Sequence, residues 1–391
     1  MTWSLVVDAL LLLALIGAGW YGWASGFLRT AAGLVGLIVG GVAAFLLMPW
    51  AAALVPDPGW RIAATLGVAT LAIAIGATLG AWVGRMLRRG ARAVRLGTLD
   101  RLLGAAAAVV VGALVILLVG TGIAAMGVPA LSPALARSRV VDAIRSITPT
   151  PAQSFLAEVR SAAVGGALPW IVEVMDGPTT PPSAPTGGVD DPEVIAASGS
   201  VVRITGAAVA CGRISAGSGV VVAPDRVLTN AHVVAGVDEP MVESPDGIVA
   251  DGTVVAYSAD EDLALIAVDL DAAPIALAEQ PGPGSDVVFA GYPFGGPFEV
   301  RPARVEATGP MTIVVDGRSD TRDVTTLAGE VDPGNSGGPV LTGDGTIGGL
   351  VYAKAELVSG VGFAIPVGTL APYIGSAASL QDAVDSGECS S

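Results

Sequence analysis

The sequence predicts a two-part fold: a four-helix transmembrane domain at the N-terminus and an all-β domain of short strands at the C-terminus. Three observations predict it. Four long stretches without any charge crowd into the first 136 residues. Six arginines cluster between the third stretch and the start of the fourth. From about Ser198 the texture changes to short apolar runs separated by Gly, Pro and Asp turns. The 391 residues are 52% hydrophobic with a mean hydropathy of +0.68, high for a soluble chain, and the excess lies in the first third.

The uncharged stretches are Ala9 to Leu28, Ala31 to Pro56, Ile62 to Gly84 and Leu102 to Ala136. Each holds the roughly 20 apolar residues that cross a bilayer as a helix. The first lacks a basic start and a second span follows at once, so it does not read as a cleaved signal peptide. Arg85, Arg88, Arg89, Arg92, Arg95 and Arg101 mark the loop between spans three and four as cytoplasmic. Counting outward, the Arg29 connection is inside, while the N-terminus and the loop with Asp57 and Arg61 are outside. The fourth span then delivers the rest of the chain to the outer face of the plasma membrane. Gly33, Gly36, Gly40 and Gly41 suit close helix packing in lipid. The uncharged stretches carry no acidic, basic or histidine side chain, which argues for an anchor rather than an ion or proton path.

Residues 137–170 mix apolar positions with Arg137, Arg139, Asp142, Arg145, Glu158 and Arg160. That pattern predicts one or two juxtamembrane amphipathic helices, broken near Pro149 and Pro151. Residues 171–197 read as a flexible linker, since Gly177 to Asp191 holds four prolines, three glycines and two acidic residues. Residues 198–391 form the β domain. Its runs include Ser200 to Ile204, Ser218 to Val222, Thr253 to Tyr257, Leu263 to Val268, Asp286 to Ala290, Met311 to Val315, Ile347 to Tyr352 and Val361 to Ile365. Many short strands without a helical repeat predict an all-β barrel or sandwich, long enough for two small barrels.

Three motifs sit in this β texture. They are Leu228-Thr229-Asn230-Ala231-His232-Val233-Val234, Asp262 followed by the apolar run Leu263 to Val268, and Gly334-Asn335-Ser336-Gly337-Gly338-Pro339. A serine hydroxyl is a poor nucleophile and needs a base beside it. His232 is the only histidine in the chain, so it is the base available to Ser336. Asp262 would hold the imidazole tautomer, with the adjacent Asp260 as the alternative. The N–H groups of Gly334 and Ser336 would form an oxyanion hole. A formal charge of −15 speaks against nucleic acid as a partner. One histidine and two distant cysteines, Cys211 and Cys389, exclude a multi-histidine zinc site, and no cofactor or metal is expected.

On these motifs, in the order His, Asp, Ser, the C-terminal half resembles the trypsin-like protease superfamily, nearest to bacterial HtrA-type enzymes. The N-terminal third resembles the colicin V production protein family. Together they are similar to the MarP-type membrane-anchored periplasmic serine proteases of mycobacteria and other actinobacteria. The resemblance implies a chymotrypsin/trypsin-type double β-barrel. It implies a serine endopeptidase that forms an acyl-enzyme on extracytoplasmic proteins, in acid resistance or envelope stress. It places a substrate pocket near Glu330, walled by Gly349, Leu350, Val351 and Gly362. It also implies a Cys211–Cys389 disulfide, compatible with a location outside the membrane. So long a loop corresponds to about 5 kcal/mol of chain entropy. Only about 25 residues follow Pro366, too few for the PDZ domain of the usual HtrA plan. The exposed linker over residues 170–195 is where such a protease could cut itself free. Two other readings stand beside this one. A silent trypsin-like binding domain would show a broken triad, and an accessory part of a transporter would show charges within its spans.

Overall fold

The computed structural model describes residues 2–54, 68, 71–72, 74–86, 97–125, 131–164, 171–174, 185–208, 213–315, 318–355 and 358–387. The chain divides into two compact units, essentially Ser4–Leu117 and Leu118–Ser391.

The first unit is helical: α1 (Thr2–Ser25), α2 (Phe27–Leu54), α3 (described over 74–86) and the start of α4 (Gly97–Ala125). Trp3–Ser25 and Thr98–Ile123 are long and apolar enough to cross a membrane. Their outer faces carry large apolar side chains, with Trp20 75% exposed. Such a surface suits lipid, where helices satisfy their own backbone. Small residues set the packing. A Cβ on Gly22 would lie 2.2 Å from the Gly104 carbonyl oxygen, and one on Gly36 would lie 2.1 Å from that of Gly76. Only glycine permits backbones that close. The fourth expected span, Leu102 to Ala136, is described as α4 up to Ala125 and as α5 (Leu131–Ala136), and residues 126–130 lie outside the described residues. Part of the expected third span (62–67, 69–70 and 73) and the arginines at 88, 89, 92 and 95 lie outside the described residues.

The second unit opens with α5, α6 (Arg139–Ile147) and α7 (Thr150–Val164). The break at Thr148-Pro149 falls where proline disfavours helix in the residue before it. Ser138 caps α6 by accepting from the Val141 N–H. The stretch read as a linker holds two elements, β1 (Ile171–Val174) and α8 (Pro192–Ser198). Composition hid α8 because Pro192 suits a helix start and one apolar residue, the buried Val194, is enough to seat it in the core.

Thirteen strands follow among the described residues. β2 (Val201–Ala208), β3 (Arg213–Ala223), β4 (Arg226–Thr229), β5 (Met241–Glu243), β6 (Val249–Asp251), β7 (Thr253–Ser258) and β8 (Leu263–Ala267) form one seven-stranded sheet in the order β6-β5-β2-β3-β4-β8-β7. The other is β1 with β9 (Asp286–Gly291), β10 (Glu299–Val315), β11 (Arg318–Ala328), β12 (Pro339–Leu341), β13 (Ile347–Ala355) and β14 (Val361–Pro366), in the order β1-β10-β11-β14-β13-β12-β9. β9 also pairs with β10, so that ladder runs round to where it began. Alternate residues of β2 are buried, as expected of strands with one face on a core. Short helices α9 (Ala231–Val234) and α10 (Val367–Ser376) complete the unit.

An ionic chain ties α6 to the first sheet. Arg145 of α6 donates to Glu243 of β5 at 2.7 Å, and Glu243 also accepts from Arg203 of β2. Burial alone raises the Glu243 carboxyl, but the two guanidinium groups outweigh it and hold it at about 2, against an ordinary 4.5. The folded value lies below the unfolded one. Its stabilisation is therefore complete above about pH 4.5 and lost as the pH falls through about 2. Glu243→Gln strands Arg203 without its partner and is expected to cost roughly 3 kcal/mol at pH 7. The loss should shrink as the medium is acidified towards pH 2, which melting curves at a series of pH values measure.

Candidate active site

Strand pairing brings His232 and Asp262 together. β4 and β8 run antiparallel with Thr229 opposite Ala264. His232 lies three residues past Thr229, in α9, and Asp262 two residues before Ala264, so both fall at one end of the sheet. Asp262 grips the histidine at two points. One carboxylate oxygen accepts from the His232 backbone N–H at 2.9 Å and the other from Nδ1 at 2.7 Å. A carboxylate only accepts, so Nδ1 carries the proton and Nε2 is left with a lone pair. Asp262 is 6% exposed and adopts a left-handed φ of 51°. The Asn230 side-chain amide holds its carbonyl at 3.0 Å. Asp260, the alternative, is exposed.

Ser336 sits in the turn that leads into β12. The turn is held against the first sheet, next to the segment that carries His232. Ser218 N–H donates to the Ser336 carbonyl at 2.8 Å, and Ser218 Oγ donates to the Gly334 carbonyl at 2.6 Å. A Cβ on Gly337 would lie 2.2 Å from the Ser218 carbonyl oxygen and 3.2 Å from the Asn230 nitrogen. Gly337 also has a φ of +81°, which L side chains rarely adopt. Gly337→Ala is expected to slow labelling by a fluorophosphonate at least tenfold, of order the loss of one well-placed donor. Timed labelling on a gel checks this, and a rate like that of the parent chain would count against so tight a turn.

Ser336 is 4% exposed, and its Oγ donates to the Tyr352 carbonyl at 3.3 Å. Among the described residues, the backbone N–H groups of Gly334 and Ser336 have no hydrogen-bond acceptor. Gly334 has a φ of +92°. Its α-carbon faces the turn Pro293–Gly295, where a Cβ would lie 2.4 Å from the Tyr292 carbonyl oxygen.

The expected pocket residues are only partly brought together. Val351 of β13 is held to the Ser336 turn, accepting from Gly337 N–H at 2.9 Å and donating to the Gly338 carbonyl at 2.8 Å. Gly349 and Leu350 lie further along β13, opposite Val340 and Pro339. Glu330 is exposed and its carbonyl accepts from Arg301 at 3.0 Å. The buried neighbour is Val331, whose methyl group would lie 2.4 Å from a Cβ on Gly362. Sequence reasoning missed Val331 and Ser218. The Gly217-Ser218-Gly219 run before the histidine motif was the available signal for the second. Cys211 and Cys389 lie outside the described residues. No cluster suited to a metal ion occurs among the described residues.

This arrangement agrees with what the chain is similar to. The trypsin-like peptidase domain family matches residues 217–350, and the colicin V production protein family matches residues 7–149. Serine protease Rv3671c of Mycobacterium tuberculosis H37Rv is 31% identical over the whole of both chains. The putative serine protease HhoB of Synechocystis is 35% identical over 159 residues, 39% of this chain and 38% of its own. The solved active form of the Rv3671c protease superposes with a TM-score of 0.52 at 35% identity, covering 55% of this chain and 96% of that one. Full-length likeness, the two matched domains and the trypsin-like β-barrel lead to one conclusion: the chain belongs to the family of the mycobacterial serine protease Rv3671c and is itself a serine protease.

Proposed function

We propose that the chain is a membrane-anchored endopeptidase that cuts extracytoplasmic proteins with Ser336 as nucleophile, His232 as base and Asp262 as its orienting carboxylate. The two-point hold of Asp262 on His232 is the observation that carries this reading. His232 Nε2 takes the Ser336 proton as Oγ attacks the peptide carbonyl. The N–H groups of Gly334 and Ser336 stabilise the oxyanion. The imidazolium then protonates the leaving amine, and water resolves the acyl-enzyme by the same route. Labelling with a fluorophosphonate tests it: the parent chain should react and Ser336→Ala should not. Absence of labelling in folded parent protein would overturn the assignment.

The anchor in this reading is a four-span domain over residues 1–136, followed by juxtamembrane helices over 137–170, a connecting segment over 171–197 and a double-barrel protease domain over 198–391. Apolar outer faces and glycine-seated helix contacts support the anchor, and the arginine cluster supports an extracytoplasmic protease. A pocket between β13 and β14, bounded by Val351, Val331 and Gly362, would receive the side chain before the cut. The pairing of Cys211 with Cys389 belongs to the same reading, as does a task in acid or envelope stress. β1 pairs with β13 at Lys354 and Ala355, two residues past Tyr352. That proximity supports self-cleavage in the 170–195 region. A fragment beginning there should form in the parent chain and not in Ser336→Ala; equal release from both excludes it.

A further inference from the structure

We infer that Arg203 is a positioning residue for the oxyanion loop, with Arg301 as a second arm on the same loop. The inference rests on the proposed roles of the Gly334 and Ser336 N–H groups. Those groups are useful only if the loop from Glu330 to Ser336 keeps one shape, because a misaligned donor stabilises no developing charge.

The loop leans on the turn Pro293–Gly295. The Phe294 N–H donates to the Pro333 carbonyl at 2.5 Å, immediately before Gly334. For this the turn adopts a strained shape, with Phe294 at φ 56°, left-handed and unusual for a side chain of that size. Something must hold it there, and Arg203 does. Its Nη1 donates to the carbonyls of Gly295 at 3.1 Å and Gly296 at 3.3 Å, both in buried residues. Buried carbonyls need donors, and Arg203 supplies one to each. The other guanidinium nitrogen pairs with Glu243, and the fork lies 5.5 Å from the centre of the Tyr292 ring. Tyr292 N–H donates in turn to Ser218 Oγ, which donates to the Gly334 carbonyl. Arg203 thus reaches the loop by two routes, one through Pro333 and one through Gly334.

Arg301 of β10 reaches the other end of the loop. Its Nη1 donates to the Glu330 carbonyl at 3.0 Å and the Asp332 carboxylate at 2.7 Å, and the Asp332 backbone carbonyl accepts from the Asn335 N–H at 3.1 Å. Both arms end on the juxtamembrane helices. Glu243 is held by Arg145 of α6, and Glu299, the partner of Arg301, accepts from Ser154 of α7. Ala157 of α7 covers Gly296, where a Cβ would lie 2.8 Å from its methyl group. The helices that lead from the membrane unit are therefore built into the support of the catalytic loop.

The test is steady-state cleavage of a chromogenic peptide amide by the full-length protein in detergent. Competent serines are titrated to completion with a fluorophosphonate, so kcat is expressed per active site. Loss of an interaction made only in the transition state lowers kcat and leaves KM alone. Arg203→Met is expected to lower kcat about 10- to 100-fold with KM within about threefold, the order of a weakened oxyanion donor. Arg203→Lys should recover part of the loss, since an ammonium still donates to one carbonyl and still pairs with Glu243. A role in stability alone predicts something else: fewer titratable serines and an unchanged kcat at each. That result overturns the inference. If Arg203→Met does not fold, Glu243→Gln decides by the same measurement. A reduced kcat per titrated serine supports positioning and a parental value overturns it. A parent chain that does not label at all fails earlier, on the nucleophile itself.

Discussion

Ser336→Ala and His232→Ala are each expected to lower peptide hydrolysis by about a millionfold, and the double variant no further. In the proposed mechanism the two side chains act as one device. Without the base the hydroxyl keeps its proton, and without the hydroxyl the imidazole has nothing to activate. The chain offers no substitute, because it contains no second histidine. What survives in every variant is the background from the oxyanion hole and substrate binding, about 10³- to 10⁴-fold over water. Progress curves at high enzyme concentration measure this. A double variant slower than either single one by a further large factor would mean that the two residues act separately. A single variant with more than about one per cent of parental activity would assign the nucleophile or the base elsewhere.

Asp262→Asn is expected to lower kcat by about 10⁴-fold, while Asp260→Asn stays within about twofold. Asparagine matches aspartate in shape and also tolerates a left-handed backbone, so the φ of 51° at this site is kept. What changes is the hydrogen-bond sense. Its amide nitrogen can donate to Nδ1, which then moves the proton to Nε2 and removes the lone pair that Ser336 needs. The exposed Asp260 has no comparable hold on the imidazole. Equal losses in both variants would dissolve the distinction between the two carboxylates.

The sequence carried some of this plainly. The texture of short strands announced a β domain because turn residues and alternating burial are local properties, as β2 illustrates. Ser336 and His232 stood out because glycines and a unique histidine are visible without a fold. Asp262 was harder to separate from Asp260, since both precede the same apolar run. The difference between them is made by the pairing of β4 with β8, a contact distant in sequence. Arg203 was invisible for the same reason. Nothing in an isolated Val202-Arg203-Ile204 tells of a turn some ninety residues later. Helix α8 was hidden by its proline-rich surroundings, and β1 was too short to register against them. Glu330 was placed by analogy with a pocket floor, and only its carbonyl faces inward to a partner, while Val331 takes the buried position.

His232 has one further use that follows from its being alone. A sample grown with isotope-labelled histidine contains a single imidazole, so its nuclear magnetic resonance spectrum shows one ring and requires no assignment. The proton on Nδ1, held 2.7 Å from the Asp262 oxygen, exchanges slowly with solvent when that bond is intact. The molecule thus carries its own noninvasive indicator of catalytic alignment, readable in a micelle without substrate, inhibitor or dye.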